Sequence, residues 1–206
     1  MAMRDEVLDA LTSDAARRIN FAFASISGQT VSVDSTTFQR VIDAIRADRI
    51  VVSEETRPGT GGTYDSLLEG ETAGRSGSLS ARPTRNRRRE RGYIVHEAVH
   101  ASFDLTYSTN LPELENEAAG FLAQFLFYRY AGLTQQGAFN ANRPAGNIYQ
   151  VIWNATSSVV GGGTVPERHM TPLRNHLERH PYYRGRFRTG CPESSRGCHI
   201  STTFNG

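Results

Sequence analysis

Residues 94–102 read Ile-Val-His-Glu-Ala-Val-His-Ala-Ser, and the three ionisable side chains in that run have the types and spacing of half a metal site. In a helix, residues four apart share a face about one turn apart along the axis, so His96 and His100 can aim imidazole nitrogens at one ion. Glu97 follows the first histidine directly. That places its carboxylate beside the ion rather than on it, where it can take a proton from metal-activated water. Zinc is the expected metal. It binds nitrogen and oxygen at roughly 2.0–2.2 Å, and a catalytic site uses three protein ligands with the fourth position open. The surrounding residues Tyr93, Ile94, Val95, Ala98, Val99, Ala101 and Phe103 make the segment apolar nearly all round, as in a helix buried inside a domain. Buried imidazoles and a buried carboxylate need partners, and a cation would satisfy all three.

The third ligand is expected from the next helix. Leu114, Ala118, Phe121, Leu122, Phe125, Leu126 and Arg129 follow helical spacing over Leu114 to Tyr130, and Gly132 marks the end. Glu117 lies on the first turns of that helix, after a loop containing Pro112 that allows the chain to reverse. It is the leading candidate, with Glu113 and Glu115 as rivals. Within residues 91–124 the chain resembles the gluzincin class of zinc metallopeptidases, with His96, Glu97 and His100 matching its first motif. Asn116-Glu117-Ala118 is similar to the Asn-Glu-Ala with which the thermolysin-like group supplies its ligand glutamate. The resemblance implies zinc held by His96, His100 and Glu117, with Glu97 as general base. Thermolysin-like chains carry an acidic residue one turn after the ligand glutamate, where this chain has Gly120 and Phe121. Asp104, one turn after His100, is the alternative residue to orient an imidazole. The metzincin pattern is excluded, because its glycine and third histidine do not follow His100.

The elements that must position these residues follow from periodicity. Asp5 to Ile19 reads as an amphipathic helix, Phe21 to Ile26 continues apolar, and Gln29 to Val33 alternates as a short strand. Ser35 or Thr36 then caps a helix with Phe38, Val41, Ile42 and Ile45 inward. Ile50 to Val52 reads as a buried strand, and Tyr64 to Leu68 and Ser76 to Ala81 as further strands in a Gly- and Ser-rich region. In zincins the strand before the active-site helix commonly forms the edge on which extended substrate pairs. That places the expected substrate edge at Ser76 to Ala81. Asn147 to Val160 carries Ile148, Ile152, Ala155 and Val159 on one face, Gly161-Gly162-Gly163 ends it, and Pro166 opens a last helix through Arg179. Gluzincins often steady the oxyanion with a His or Tyr from later in the chain. His176, Tyr149 and Tyr107 are the candidates for that role.

At 206 residues the chain is long enough for one domain with a full core, and a formal net charge of +2 gives no global attraction for nucleic acid. No apolar run reaches membrane-spanning length, and the acidic start Met1-Ala-Met-Arg-Asp-Glu lacks the pattern of a secretory signal. The expectation is a cytoplasmic protein, with export by a route that reads no such signal left open. Every basic residue is arginine and lysine is absent, which codon bias explains most simply and an exported toxin or effector protease would explain otherwise. The dense run Arg82, Arg85, Arg87, Arg88, Arg89 and Arg91 has no interleaved aromatic residues, so it reads as a solvated loop and helix start before it reads as a nucleic-acid site. Cys191 and Cys198 could close a small disulfide loop or remain free thiols.

Together these features predict an α+β, mostly helical zincin-like fold with a small mixed sheet, in one domain. N-terminal helices and strands occupy about 1–81, the metal-binding helix pair 86–132, and C-terminal helices and tail 133–206. The expected activity is zinc-dependent hydrolysis of a peptide bond in a protein or peptide substrate. Its rivals are a non-catalytic binding module on the same scaffold and an arginine-rich nucleic-acid binder.

Overall fold

The computed structural model describes residues 2–54, 62–66, 77–81, 87–106, 111–138 and 147–180. Two consecutive helices form its spine: α4 (Arg87–Leu105) and α5 (Glu113–Tyr130). Both are buried on nearly every side, as their all-round apolar sequences require, and they run antiparallel against each other. Gly132 ends α5 in the left-handed conformation, φ 75°. There its N–H returns to the Arg129 carbonyl and the Leu133 N–H to that of Tyr128, closing the helix terminus as glycine-capped helices do.

Before the spine come α1 (Met3–Thr12), α2 (Asp14–Arg17), β1 (Phe21–Ala24), β2 (Thr30–Val33), α3 (Ser35–Arg46), β3 (Ile50–Glu54), β4 (Gly62–Ser66) and β5 (Gly77–Ala81). The single N-terminal helix expected from periodicity is divided at Ser13, whose hydroxyl accepts from the Ala16 N–H and starts α2 afresh. Helix α3 is capped one residue earlier than expected. Asp34 accepts from the Thr36 and Thr37 N–H groups while the Thr37 hydroxyl accepts from the Asp34 N–H, a reciprocal capping box.

The strands make two small sheets. β1 and β2 pair as an antiparallel hairpin, and β3, β5 and β4 form a mixed sheet in that order. β5 is therefore the central strand, parallel to β3 and antiparallel to β4. This corrects the expected substrate edge at Ser76 to Ala81: β5, which covers Gly77–Ala81 of it, has neighbours on both sides, and among the described residues the strand on the sheet edge against α4 is β4. The mostly helical α+β class and the small mixed sheet are as the sequence predicts.

After the spine come α6 (Gln135–Ala138), α7 (Ile148–Ser157) and α8 (Glu167–Arg179). α1, α3 and the mixed sheet pack on α4, whereas α2, α7 and α8 pack on α5. One buried network fastens the second group. Arg174 of α8 donates from Nε to the Glu115 carboxylate at 3.1 Å, from one terminal nitrogen to the Ala24 carbonyl and from the other to Glu167. Arg129 of α5 similarly lies 3.8 Å over the Trp153 ring of α7 and donates to the Trp153 carbonyl and Thr156. No helix among the described residues is long and apolar enough to cross a membrane.

Candidate metal centre

The antiparallel register of α4 and α5 sets three cross-helix pairs in a row. Tyr128 lies across Gly92, Gly120 and Gln124 lie across His96, and Asn116 and Glu117 lie across His100. His96, His100 and Glu117, all buried, thereby converge so that one ligand atom of each lies within 4.8 Å of the others. His96 Nε2 stands 3.5 Å from Glu117 Oε2, and His100 Nε2 stands 3.8 Å from Glu117 Oε1. Tetrahedral zinc with bonds of this type sets its ligand atoms about 3.4 Å apart, so small side-chain movements close the shell.

The donor set fits a cation on electrostatic grounds. His100 Nδ1 faces the Asn116 Oδ1 atom at 2.8 Å and His96 Nδ1 faces the Gln124 Oε1 atom at 3.2 Å. Amide oxygens only accept, so a neutral imidazole at either position would carry its hydrogen on Nδ1 and turn Nε2 toward the centre. His100 Nε2 is buried and has no hydrogen-bond partner among the described residues. Burial, the largest influence, holds the His100 imidazole down to about 4, against the opposing pull of Glu117, so it is neutral at pH 7. The unsatisfied His100 Nε2, held beside His96 Nε2 and the Glu117 carboxylate in a low-dielectric space, favours a positive charge among them.

Glu97 is held apart from this group. Its buried carboxylate accepts from the Tyr64 backbone N–H of β4 at 2.9 Å, next to the ligand helix but outside the three-residue cluster. β4 is itself fixed to α4 two turns further on, where the Tyr64 hydroxyl donates to Asp104 at 2.7 Å. Burial, reinforced by the adjacent Asp104 charge, pushes that phenol far above its ordinary value.

Several expectations are resolved by this geometry. Glu115 is no ligand: it is fully buried and accepts from the Ile26 N–H at 2.8 Å and from Arg174. Glu113, the first residue of α5, lies outside the ligand group, which Glu117 completes. Asp104 orients no imidazole, since both Nδ1 atoms are met by amides and Asp104 takes the Tyr64 hydroxyl instead. Tyr149 is buried with its ring stacked 6.0 Å from that of Phe125. His176 is half-buried on α8, which packs against α5, α7 and β1, and it does not belong to the ligand group. Tyr107, Arg82, Arg85, Cys191 and Cys198 lie outside the described residues.

Sequence reasoning missed Gln124, and a signal for it was present. It is a lone amide, buried, in the apolar run from Phe121 to Phe127 and two turns after Glu117, where an unpaired polar group would be costly. Compared with models of known protein families, with curated proteins and with solved structures, the chain matches none.

Proposed function

We propose that this protein is a zinc-dependent metallopeptidase in which His96, His100 and Glu117 hold the ion and Glu97 is the general base. The observation that carries the reading is the division of labour among four buried polar side chains. Three converge on one another, with His100 Nε2 buried and unsatisfied, and the fourth is tethered beside them by the Tyr64 N–H. A site that only braced the fold would be closed by a fourth ligand and would have no use for a neighbouring carboxylate. Zinc bound there supplies a Lewis acid that acidifies water and polarises a carbonyl oxygen.

The chain's own residues then perform the remaining steps. Glu97, a turn-neighbour of the ligands, takes the proton from the attacking water and returns it to the leaving amide nitrogen. Among the described residues β4 is the strand at the sheet edge next to Glu97, and an extended peptide is proposed to lie alongside it, held by backbone hydrogen bonds. Pairing of that kind reads main-chain atoms, which suits a peptide or an unstructured stretch of protein. His176 and Tyr149 are proposed for the oxyanion, in keeping with the resemblance to gluzincins.

Incubation of the zinc-loaded protein with an unfolded protein substrate, followed by mass spectrometry of the fragments, tests the reading. Cleavage that disappears with chelation and in Glu97→Gln is expected. Fragments produced equally by wild type and Glu97→Gln would contradict it.

A further inference from the structure

Glu117, His96 and His100 account for the ligands, yet His96 becomes one only if its hydrogen sits on Nδ1. A chain of directed hydrogen bonds across the helix pair bears on that choice. Tyr128 Oη lies 3.1 Å from the Arg89 carbonyl, Gln124 Nε2 lies 2.7 Å from Tyr128 Oη, and Gln124 Oε1 faces His96 Nδ1 at 3.2 Å. The Arg89 carbonyl can only accept, so the single phenolic hydrogen goes to it. Tyr128 Oη must then accept from Gln124, which turns the amide oxygen, and not the amide nitrogen, toward His96. Reversing Gln124 would present an N–H to His96 Nδ1, move the imidazole hydrogen to Nε2 and point it into the ligand cluster.

The chain is built to be stiff. Gly92 makes the slot for Tyr128: a Cβ there would come within 2.1 Å of the Tyr128 ring, so only glycine lets the phenol cross α4 to reach Arg89. Gln124 and Tyr128 are both buried, which shields both bonds from bulk solvent. Burial also holds the phenol well above its ordinary pKa, so Tyr128 keeps the hydrogen it donates.

We infer that Gln124 and Tyr128 are positioning residues, which use the Arg89 carbonyl as a fixed reference to set the tautomer of His96 and so make its Nε2 a metal ligand. Neither touches the reacting atoms. The inference rests on the metal assignment above, but the tautomer is a property of the metal-free protein and can be judged without any cleavage.

Long-range 1H–15N correlation spectra of the metal-free protein report which imidazole nitrogen carries the hydrogen, and competition with a chromophoric chelator reports zinc affinity. Wild type should show His96 as a single Nδ1–H tautomer. Tyr128→Phe keeps the ring in the Gly92 slot but removes the acceptor. His96 should then populate both tautomers and zinc affinity should fall roughly 10-fold, within the roughly 10- to 100-fold range typical when a ligand's outer partner is lost. Gln124→Leu should lose as much or more. A carboxylate can only accept, so Gln124→Glu should hold the Nδ1–H tautomer and wild-type affinity even when combined with Tyr128→Phe. That rescue is something a purely packing role would not produce. A single Nδ1–H tautomer and unchanged affinity in Tyr128→Phe would overturn the inference, as would failure of Gln124→Glu to rescue the double variant. Absence of peptide cleavage by the loaded wild type would instead remove the proposed activity and leave this inference standing.

Discussion

Gly120 lies against the face of the His96 imidazole so closely that a Cβ built on it would come within 2.9 Å of Nε2 and Cε1. Helix α5 carries a glycine, a poor helix former, one turn after Glu117, where the ring occupies the space a side chain would take. A side chain at this position is thus opposed on steric grounds. The partner for His96 is displaced to Gln124, one turn further along the helix.

Gly120→Ala should accordingly separate stability from metal binding. Alanine gains about 1 kcal/mol of helix propensity, while overpacking against a buried ring costs roughly 1–3 kcal/mol, so thermal stability of the metal-free protein should change little or fall modestly. Zinc affinity should fall by about tenfold or more, because the ring must tilt off its line to the centre. Chelator competition and a thermal melt check both halves. Unchanged affinity would show that the ring has room to yield.

Removing Arg174 leaves the buried Glu115 charge without its cation, which costs about 3–5 kcal/mol, whereas removing Glu115 leaves Arg174 its partner Glu167 and costs less. Arg174→Ala should show that loss in urea denaturation and Glu115→Ala a smaller one, and the folded fractions of both should still bind zinc. The opposite pattern, normal stability with zinc lost in Glu115→Ala, would make Glu115 a ligand after all.

The buried His100 imidazole, with its pKa near 4 against an ordinary 6.5, ties the stability of the metal-free protein to pH. As pH falls below about 6.5 the unfolded chain takes up the proton while the folded chain refuses it, so stability drops until pH approaches 4. A single such group contributes a slope of about 1.4 kcal/mol per pH unit within that window. Urea denaturation at pH 7 and pH 5 should show the decline, and His100→Asn should flatten it. A wild-type protein equally stable at both values would contradict the assigned burial. Zinc binding should weaken over the same range, since the folded ligand must stay unprotonated.

Much of this arrangement is legible in the chain. His96, Glu97 and His100 declare themselves by type and spacing, and the apolar surround of residues 93–103 announces a buried helix because no face is left for water. Glu117 could be named as the leading ligand, but its choice over Glu113 and Glu115 depends on rotation of α5 against α4. That rotation is set by Gly92 and Gly120, whose meaning appears only when Tyr128 and His96 lie on them. Strand pairing order is non-local, which is why the edge next to Glu97 is β4 and not the strand immediately before the helix. The Asp34 cap escaped because Ser35 and Thr36 beside it are also good capping residues, and only the backbone direction decides among them. Asp104 was misassigned for a related reason. One helical turn places it near His100, but not on the side of the ring that needs a partner.

The central claim, that two histidines and a glutamate from neighbouring helices close on one ion while Glu97 stands aside, is tested most directly by metal content. Elemental analysis should find about one zinc per chain in wild type and in Glu97→Gln, and little in His96→Ala or Glu117→Ala. Full zinc content in Glu117→Ala, or no zinc in wild-type protein refolded with excess metal, would contradict it.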